Sequence, residues 1–340
     1  MCQKRDGDLK SHSFIRASYK HPGPAHDSSA SCIGMCCDCR IGRRPLRGSS
    51  AACDATHDMA TGGTVTSTSA TGEIEFSVVI PTFRRQSQLV EAIESVLAQD
   101  VASEIIVLDD SPEGSARGTI EAFADARVTY LLHDPPSRGQ PSRVRNAGWP
   151  RARGRFVHFL DDDDRVAEGF YRDARSTFER HPDAGVVFGL IAPFASDPQA
   201  DIDNEIRFFT TASRRARLAA RINVRHWLIA SQLFNDTVLV NSACVIRREH
   251  IAPLNGYDTS MRLNEDVDFY SRAIRRYGFR FLDQTVVHYR INPDSLMHGQ
   301  SDRNGLRDTY NTMYEHYRAE YGSAELFALK VLARTVMRFL

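Results

Sequence analysis

Apolar residues come in short runs along the middle of this chain, each stopped by polar or turn-forming residues. Phe76-Ser77-Val78-Val79-Ile80 is a buried-strand pattern ended by Pro81. From Gln88 to Gln99, Leu89, Ile93, Val96 and Leu97 fall at helical spacing. Ile105-Ile106-Val107-Leu108 predicts a second strand that runs into Asp109-Asp110 and a Ser-Pro-Glu-Gly turn. Residues 119–124 predict a short helix and 128–132 a third strand. Pro141 suits the first turn of a helix running through Val144, Ala147 and Trp149 towards Gly154. A fourth strand over 156–160 leads into Asp161-Asp162-Asp163-Asp164, then a helix over 168–180 and a fifth strand over 185–190.

After Pro193 the pattern loosens. Asp197, Asp201 and Asp203 precede a basic, helix-like run (Arg214, Arg215, Arg217, Arg221, Arg225) that ends at His226-Trp227 and reads as a solvated helix face. Residues 237–247 predict a strand with small residues at Asn241, Ser242 and Ala243. Asn264 is the expected N-cap of the next helix, with Glu265, Asp266 and Asp268 behind it, where the helix dipole favours acids and keeps Asp266 ionised. Residues 279–282 and 286–289 predict two closing strands. The tail from Leu306 is helical. Its apolar face (Leu326, Leu329, Leu332, Val336, Phe339-Leu340) is expected to pack back on the domain, with attachment to a membrane surface as the alternative.

Strands alternating with helices at this pitch predict an α/β fold, a mostly parallel sheet with helices on both faces. Ligands of such sheets bind beyond the carboxyl ends of the strands. Asp109-Asp110 and the quartet at 161–164 both fall at such ends, so two strands aim carboxylates at one crevice. Four adjacent carboxylates raise each other's pKa. They suit a hard divalent cation, Mg2+ or Mn2+, which takes oxygen ligands and holds phosphate oxygens; taken alone, the quartet reads equally as an acidic surface turn. No Gly-x-Gly-x-x-Gly follows the first strand, which argues against a nicotinamide cofactor.

Composition narrows the picture further. The 340 residues, 42% hydrophobic and 25% charged, can bury a full core. Lys plus Arg equals Asp plus Glu at 43 each, which argues against a general nucleic-acid binder. No run is long and apolar enough to predict a membrane-spanning helix. Cys2, Cys32, Cys36, Cys37, Cys39 and Cys53 crowd the start of the chain and leave Cys244 alone in the body, which therefore reads as reduced and cytosolic. The spacing of the early cysteines fits none of the regular zinc frameworks. Residues 1–73, poor in aliphatics, are expected to be disordered, with Met59 as an alternative start; a domain over 74–300 and a helical tail over 301–340 follow.

Taken together, these segments resemble, in order, the motifs of family 2 glycosyltransferases of the inverting GT-A type, over roughly residues 75–300. Val78-Val79-Ile80-Pro81-Thr82-Phe83-Arg84-Arg85 resembles the opening strand and its turn, and Ile106-Val107-Leu108-Asp109-Asp110-Ser111 the second-strand carboxylates. Arg143-Val144-Arg145-Asn146-Ala147-Gly148 resembles the helix beside the nucleotide, Phe159 to Asp164 the Asp-x-Asp segment, and Asn264-Glu265-Asp266-Val267-Asp268-Phe269 the Glu-Asp motif. The resemblance implies a GT-A nucleotide-sugar-binding fold. It implies donor contacts from Pro81, Thr82, Arg84, Asp109, Asp110, Arg143, Arg145, Asn146, Asp161, Asp162 and Glu265. It also implies a Mg2+ or Mn2+ ion on Asp163 and Asp161, and Asp266 as catalytic base. Two departures stand out. Tyr289-Arg290-Ile291-Asn292 lacks a family histidine, which is either absent here or replaced by His288 or His298, and the turn after Asp110 lacks the common Gly-Ser.

The implied reaction moves a sugar from a nucleotide-diphosphate sugar to an acceptor hydroxyl, such as that of a saccharide or a lipid-linked saccharide. Positive charge at the diphosphate stabilises the leaving group, and a carboxylate draws the proton from the acceptor. The expected setting is the cytoplasm, with peripheral contact at the inner membrane face through the C-terminal helix. A nucleotidyltransferase or phosphohydrolase on a similar sheet is the competing enzyme reading, and a non-catalytic transferase-like binding module the competing non-enzyme one.

Overall fold

The first apolar run becomes β1 (Phe76–Thr82), and the next two become β2 (Ser103–Asp109) and β3 (Val128–Leu132). They are followed by β4 (Phe156–Phe159), β5 (Arg165–Val166), β6 (Val186–Ala195), β7 (Cys244–Arg247) and β8 (Phe279–Ile291). The structure, a computed structural model, describes residues 73–197, 202–222, 224–234, 237–261, 263–291 and 303–335. All of them lie in one compact unit, Thr68–Leu340. The expectations for residues 1–72, for Met59, and for Asn292 and His298 fall outside the described residues.

Among the described residues the strands form one sheet in the order β3-β2-β1-β4-β7-β6-β8-β5. β3, β2, β1 and β4 run parallel, as do β6 and β8. β7 is antiparallel to both its neighbours, and β5 is antiparallel to β8. The sheet is therefore mixed, parallel in the half that carries β1. Thr82 pairs with Asp109, so the carboxyl ends of β1 and β2 finish level and open one crevice.

Helices cover both faces. On α1 (Gln86–Leu97), Leu89, Ala92, Ile93 and Val96 are buried, the i, i+3, i+4, i+7 stripe expected of an amphipathic helix. His158 and Phe159 are neighbours on β4 and point to opposite faces, as strand geometry requires. His158 meets Phe170 and Tyr171 of α4 (Phe170–Arg180), while Phe159 meets Tyr257 at 5.0 Å and Phe269 at 6.0 Å between ring centroids. Phe269 belongs to α7 (Glu265–Tyr277). The remaining helices are α2 (Arg117–Phe123), α3 (Pro141–Gly148), α5 (Asp203–Ile222), α6 (Arg225–Phe234), α8 (Arg303–Tyr321) and α9 (Ser323–Thr335). α3 ends where it comes closest to the sheet: a Cβ on Gly148 would stand 2.6 Å from side-chain atoms of both Leu108 and Val79. The chain continues there as a short 3-10 turn, Trp149–Arg151, and the predicted helix does not reach Gly154.

Three local expectations are corrected. Of residues 237–247 only Cys244–Arg247 is strand; Asn241–Ala243 forms a 3-10 turn because its polar groups serve β4 instead of a ladder. His158 Nε2 bonds the Ser242 carbonyl at 3.0 Å, and the Asp161 N–H donates to Ser242 Oγ at 3.1 Å. The two closing strands are one, β8, which stays paired to β6 through register shifts at Leu190. Asn264 precedes α7 but adopts φ 55°, in the left-handed region, and makes no side-chain cap.

The tail folds back. α9 packs on α6 and buries Leu329 and Ala333, while Phe327 and Val331 face solvent. Among the described residues no helix is long and apolar enough to cross a membrane.

Candidate active site

The acidic quartet sits in the turn between β4 and β5, and each of its side chains has a different environment. Thr82, at the end of β1, donates from Oγ1 to Asp162 at 2.7 Å. Arg85 donates from one nitrogen to Asp162 at 3.1 Å and to Asp163 at 2.8 Å. Asp164 is buried; it accepts the Arg290 main-chain N–H at 2.8 Å, and its Oδ2 has no partner among the described residues. Asp161 is the most open of the four, its side chain 31% exposed.

Arg85 was missed in the sequence, where Arg84 was the candidate. The reason is one backbone angle. Arg84 has φ 57°, so the chain reverses there, sending Arg84 out to Glu113 at 2.6 Å and Arg85 in to the acidic turn. Pro81 is partly buried near the end of β1, and Phe83 beyond it is 49% exposed.

Arg145 joins the two halves of the site. Its buried guanidinium donates to Asp161 at 2.6 Å and to Glu265 at 2.8 Å. Burial opposes its charge, but Asp161 and Glu265 outweigh burial and hold it protonated. Asn146, the next residue, makes a two-way bond with the main chain of Tyr257, accepting its N–H at 2.9 Å and donating to its carbonyl at 2.8 Å. Arg143 lies on α3 with its side chain exposed.

The second-strand carboxylates are engaged internally. Asp109 accepts from the Ser111 N–H and hydroxyl, the Ala116 N–H and the Tyr130 hydroxyl, at 2.6–3.3 Å. Asp110 accepts from the Ser137 N–H at 2.7 Å and its hydroxyl at 2.6 Å, and pairs with His133 at 2.9 Å. The two residues hold the loops that follow β2 and β3.

Asp266 is in the first turn of α7, beside Glu265 and within the field of Asp161. Its carboxyl is pushed up to about 8, by burial first and then by Glu265. The expectation that the helix dipole keeps it ionised is thereby corrected, because desolvation outweighs the dipole. Burial, followed by Asp162, lifts Asp163 to about 7 against the pull of Arg85. Burial also raises Asp162, Glu265 and, further, Asp164. His158, buried beneath the turn, is lowered to about 4 and is neutral. His288 is exposed on β8; partial loss of water around its ring and then the nearby Arg165 lower its pKa.

Arg290 on β8 ties this turn to the rest of the fold. Its guanidinium donates to the Asp163 carbonyl and to Glu91 at 2.8 and 2.7 Å, bonds Ser196, and lies 4.6 Å from the centre of the Phe194 ring.

No group of three or more His, Cys, Asp or Glu side chains among the described residues is arranged as a ready metal cage. The donors nevertheless fit a hard cation. Asp161 and Asp163 offer oxygens, and Asp163 is raised by burial first and then by Asp162, a penalty on its charge that Arg85 does not cancel. A Mg2+ or Mn2+ ion that takes its other ligands from phosphate and water needs no more protein than this.

The chain matches the family model "Glycosyl transferase family 2" over residues 77–237. It is 34% identical over 227 residues to the "Minor teichoic acid biosynthesis protein GgaB" of Bacillus subtilis, a match covering 65% of this chain and 23% of that protein. It is 31% identical over 236 residues to "Glycosyltransferase GlyG" of Streptococcus pneumoniae, covering 68% of this chain and 76% of that one. Against the structure titled "Crystal structure of S. aureus TarS 1-349 in complex with UDP-GlcNAc" the TM-score is 0.53 at 18% identity, covering 72% of this chain and 67% of that chain. The chain thus spans under a quarter of GgaB and about two thirds of the TarS fragment, and the TarS likeness speaks to the GT-A fold alone. The family model covers residues 77–237, and GlyG is matched over most of its length at 31% identity: this chain belongs to glycosyl transferase family 2.

Proposed function

We propose that this protein is a metal-dependent, inverting glycosyltransferase that moves a sugar from a nucleotide-diphosphate sugar to an acceptor hydroxyl in glycan or cell-surface polymer synthesis. The observation that carries the reading is Arg145, which bonds Asp161 of the acidic turn and Glu265 at the start of α7 at once. That double bond supports reading the start of α7, with Asp266, and the acidic quartet as two sides of one site.

The donor binds over the carboxyl ends of β1 and β2. Phe83 and Pro81 line the rim where the base rests. Thr82 and Arg85 fix Asp162 and Asp163, and Asn146 fixes the Tyr257 loop. Asp109 and Asp110 act through the loops they hold. Arg143 supplies countercharge at the mouth, while Arg84 is turned outward to Glu113. A Mg2+ or Mn2+ ion would be held by Asp163 and Asp161, and when bound it neutralises charge on the departing diphosphate. Asp266 takes the proton from the acceptor hydroxyl as that oxygen attacks the anomeric carbon, opposite the leaving group. Arg145 keeps Glu265 ionised beside it and fixes the start of α7. In-line attack inverts the anomeric centre, so an α-linked donor gives a β-linked product.

The UDP-GlcNAc bound to TarS supports a uridine diphosphate sugar as donor, and the name of GgaB supports a cell-wall polymer as product. The exposed Phe327 and Val331 beside Lys330 and Arg334 on α9 suit a peripheral position at the cytoplasmic membrane face, near a lipid-linked acceptor.

A thermal-shift screen of nucleoside diphosphates and their sugars, with and without Mn2+, tests the donor reading, since a ligand that binds the folded state raises the melting temperature. Asp266→Asn is expected to keep that shift and lose transfer by orders of magnitude, and Asp163→Ala to lose the Mn2+-dependent part of the shift. Full transfer by Asp266→Asn would refute the assignment of the base.

A further inference from the structure

The basic run on α5 has so far been given no role. The helix buries Phe209, Ala212, Ser213, Ala216 and Ala219 against the rest of the fold. On the opposite face Arg207, Arg214 and Arg221 recur every seventh residue, and all three are exposed, with Thr210 exposed between the first two. Seven residues are nearly two full turns, so these side chains leave the helix in one line, about 10 Å apart and about 21 Å from first to last. Among the described residues no carboxylate pairs with any of them; Arg207 donates to the side-chain oxygen of Asn204 at 2.7 Å. Their neighbours differ: Arg217 pairs with Asp283 of β8 at 2.6 Å, and Arg215 is partly buried and engaged.

The line has a direction. β8 is parallel to β6, and two antiparallel steps through β7 make β6 parallel to β4 and β1. The carboxyl end of β8 therefore lies on the same edge of the sheet as the ends of β1 and β2. There Arg290 bonds Asp163 and Asp164 of the acidic turn. α5 runs back along β8: Phe209 meets Tyr289 near that end, with ring centroids 5.4 Å apart, and Arg217 meets Asp283 towards the start of the strand. The arginine line thus begins on the crevice edge and leads away from it.

A row of cations leading away from a site suits a long anionic ligand that enters the site by one end. A bilayer surface would need apolar side chains interleaved with the cations. On α5 the exposed large apolar residues are Ile206, Phe208 and Ile222, at its two ends, and none is exposed between Phe208 and Ile222. Evenly spaced cations match the evenly repeated charge of a linear chain, and a guanidinium fork pairs with the two free oxygens of a phosphodiester. We propose that this face of α5 is a track for the acceptor, a linear polymer with phosphodiesters in its backbone, which lies along Arg207, Arg214 and Arg221 while one end reaches the crevice. This rests on the polymer-synthesis reading above and adds the class of polymer and its path.

The probe is an end-labelled synthetic poly(glycerol phosphate) of about ten repeats, long enough to span about 21 Å of helix, titrated with the full chain. Arg207→Gln/Arg214→Gln/Arg221→Gln should melt within about 2 °C of wild type, because exposed side chains without strong partners add little stability. Its UDP affinity with Mn2+ should be unchanged. Its polymer affinity should fall more than about tenfold, with a slope of log affinity against log salt shallower by about 2, three contacts at about 0.7 each for a single-stranded polyanion. Equal polymer affinity in the variant would overturn the proposal. So would the same loss in Arg151→Gln/Arg155→Gln/Arg318→Gln, which removes as much exposed charge elsewhere. Equal affinity for polygalacturonate, or tighter arginine-dependent binding to phosphatidylglycerol vesicles, would overturn it too, in favour of a carboxylate polymer or a membrane. If wild type binds UDP but not the polymer, this inference falls alone. If it binds no nucleoside diphosphate, the transferase reading falls and takes this one with it.

Discussion

Arg145→Met removes the cation that joins the two halves of the site while keeping most of the side-chain volume. Its cost can be worked from the two carboxylates it leaves behind. Glu265 has a side chain only 9% exposed, so it cannot stay ionised without its partner. It escapes by binding a proton, and holding a glutamate neutral at pH 7 against an unfolded-state pKa of about 4.3 costs about 3.7 kcal/mol. Asp161 is 31% exposed, so water screens it and its share stays below about 1 kcal/mol. The sum, about 4 kcal/mol, agrees with the general cost of breaking a buried ion pair. At pH 5 the same proton uptake costs only about 1 kcal/mol. The expected loss in melting temperature is therefore about 8–12 °C at pH 7 and about 2–3 °C at pH 5. Circular-dichroism melts of wild type and variant at both pH values read it directly. Arg145→Met/Glu265→Gln should recover most of the pH 7 loss, since no buried charge remains on α7's first residue. A loss under about 1 kcal/mol at pH 7, or one that does not shrink on acidification, would refute the reasoning.

Two further outcomes follow from the same geometry. Because Asp266 is raised to about 8 and must be ionised to accept a proton, kcat/KM should fall as pH drops below about 8, with Asp163, raised to about 7, steepening the fall at lower pH. A profile flat from pH 6 to 9 would count against Asp266 as the base. Asp109→Asn replaces a carboxylate that accepts from two main-chain N–H groups and two hydroxyls with an amide whose NH2 faces donors, so urea denaturation should show a loss of about 2 kcal/mol.

The strands β1 to β4, α1 and the run of four aspartates after β4 were legible in the sequence because each depends on local pattern. What escaped depends on single backbone angles or on desolvation. Arg84 and Arg85 are adjacent and alike, and only the left-handed φ at Arg84 decides which turns inward. Residues 237–247 have the composition of one strand, but Asn241 and Ser242 spend their polar groups on Tyr257 and β4. Asn264 looks like a cap and is not one. The dipole argument for Asp266 was sound locally, yet it could not include the burial and the Glu265 charge that the tertiary fold brings to it. The two closing strands merged because a register shift, which no periodicity reveals, carries the pairing past Leu190.

These contacts divide the site by stiffness. Around the start of α7, on the side of the proposed base, they close on themselves. Asp161 is held by Ser242 through its main chain and by Arg145 through its carboxylate; Arg145 holds Glu265, and Asn146 beside it holds Tyr257. Tyr257 returns to the same 3-10 turn as Ser242 by donating its hydroxyl to Asn241 at 2.7 Å, and its ring stacks on Phe269 at 4.3 Å. The turn itself is placed by β7 pairing with β4. A base must be held to within a fraction of an ångström, and a loop of mutually satisfied buried groups does that. At the nucleotide rim the exposed Phe83, Arg84 and Arg143 have no such enclosure. Substitutions there should weaken donor binding and leave stability nearly untouched, whereas any break in the closed set should cost stability and turnover together. It follows that the closed set around Arg145 and Tyr257 cannot be re-tuned one residue at a time without unfolding cost, while the exposed rim at Phe83, Arg84 and Arg143 can.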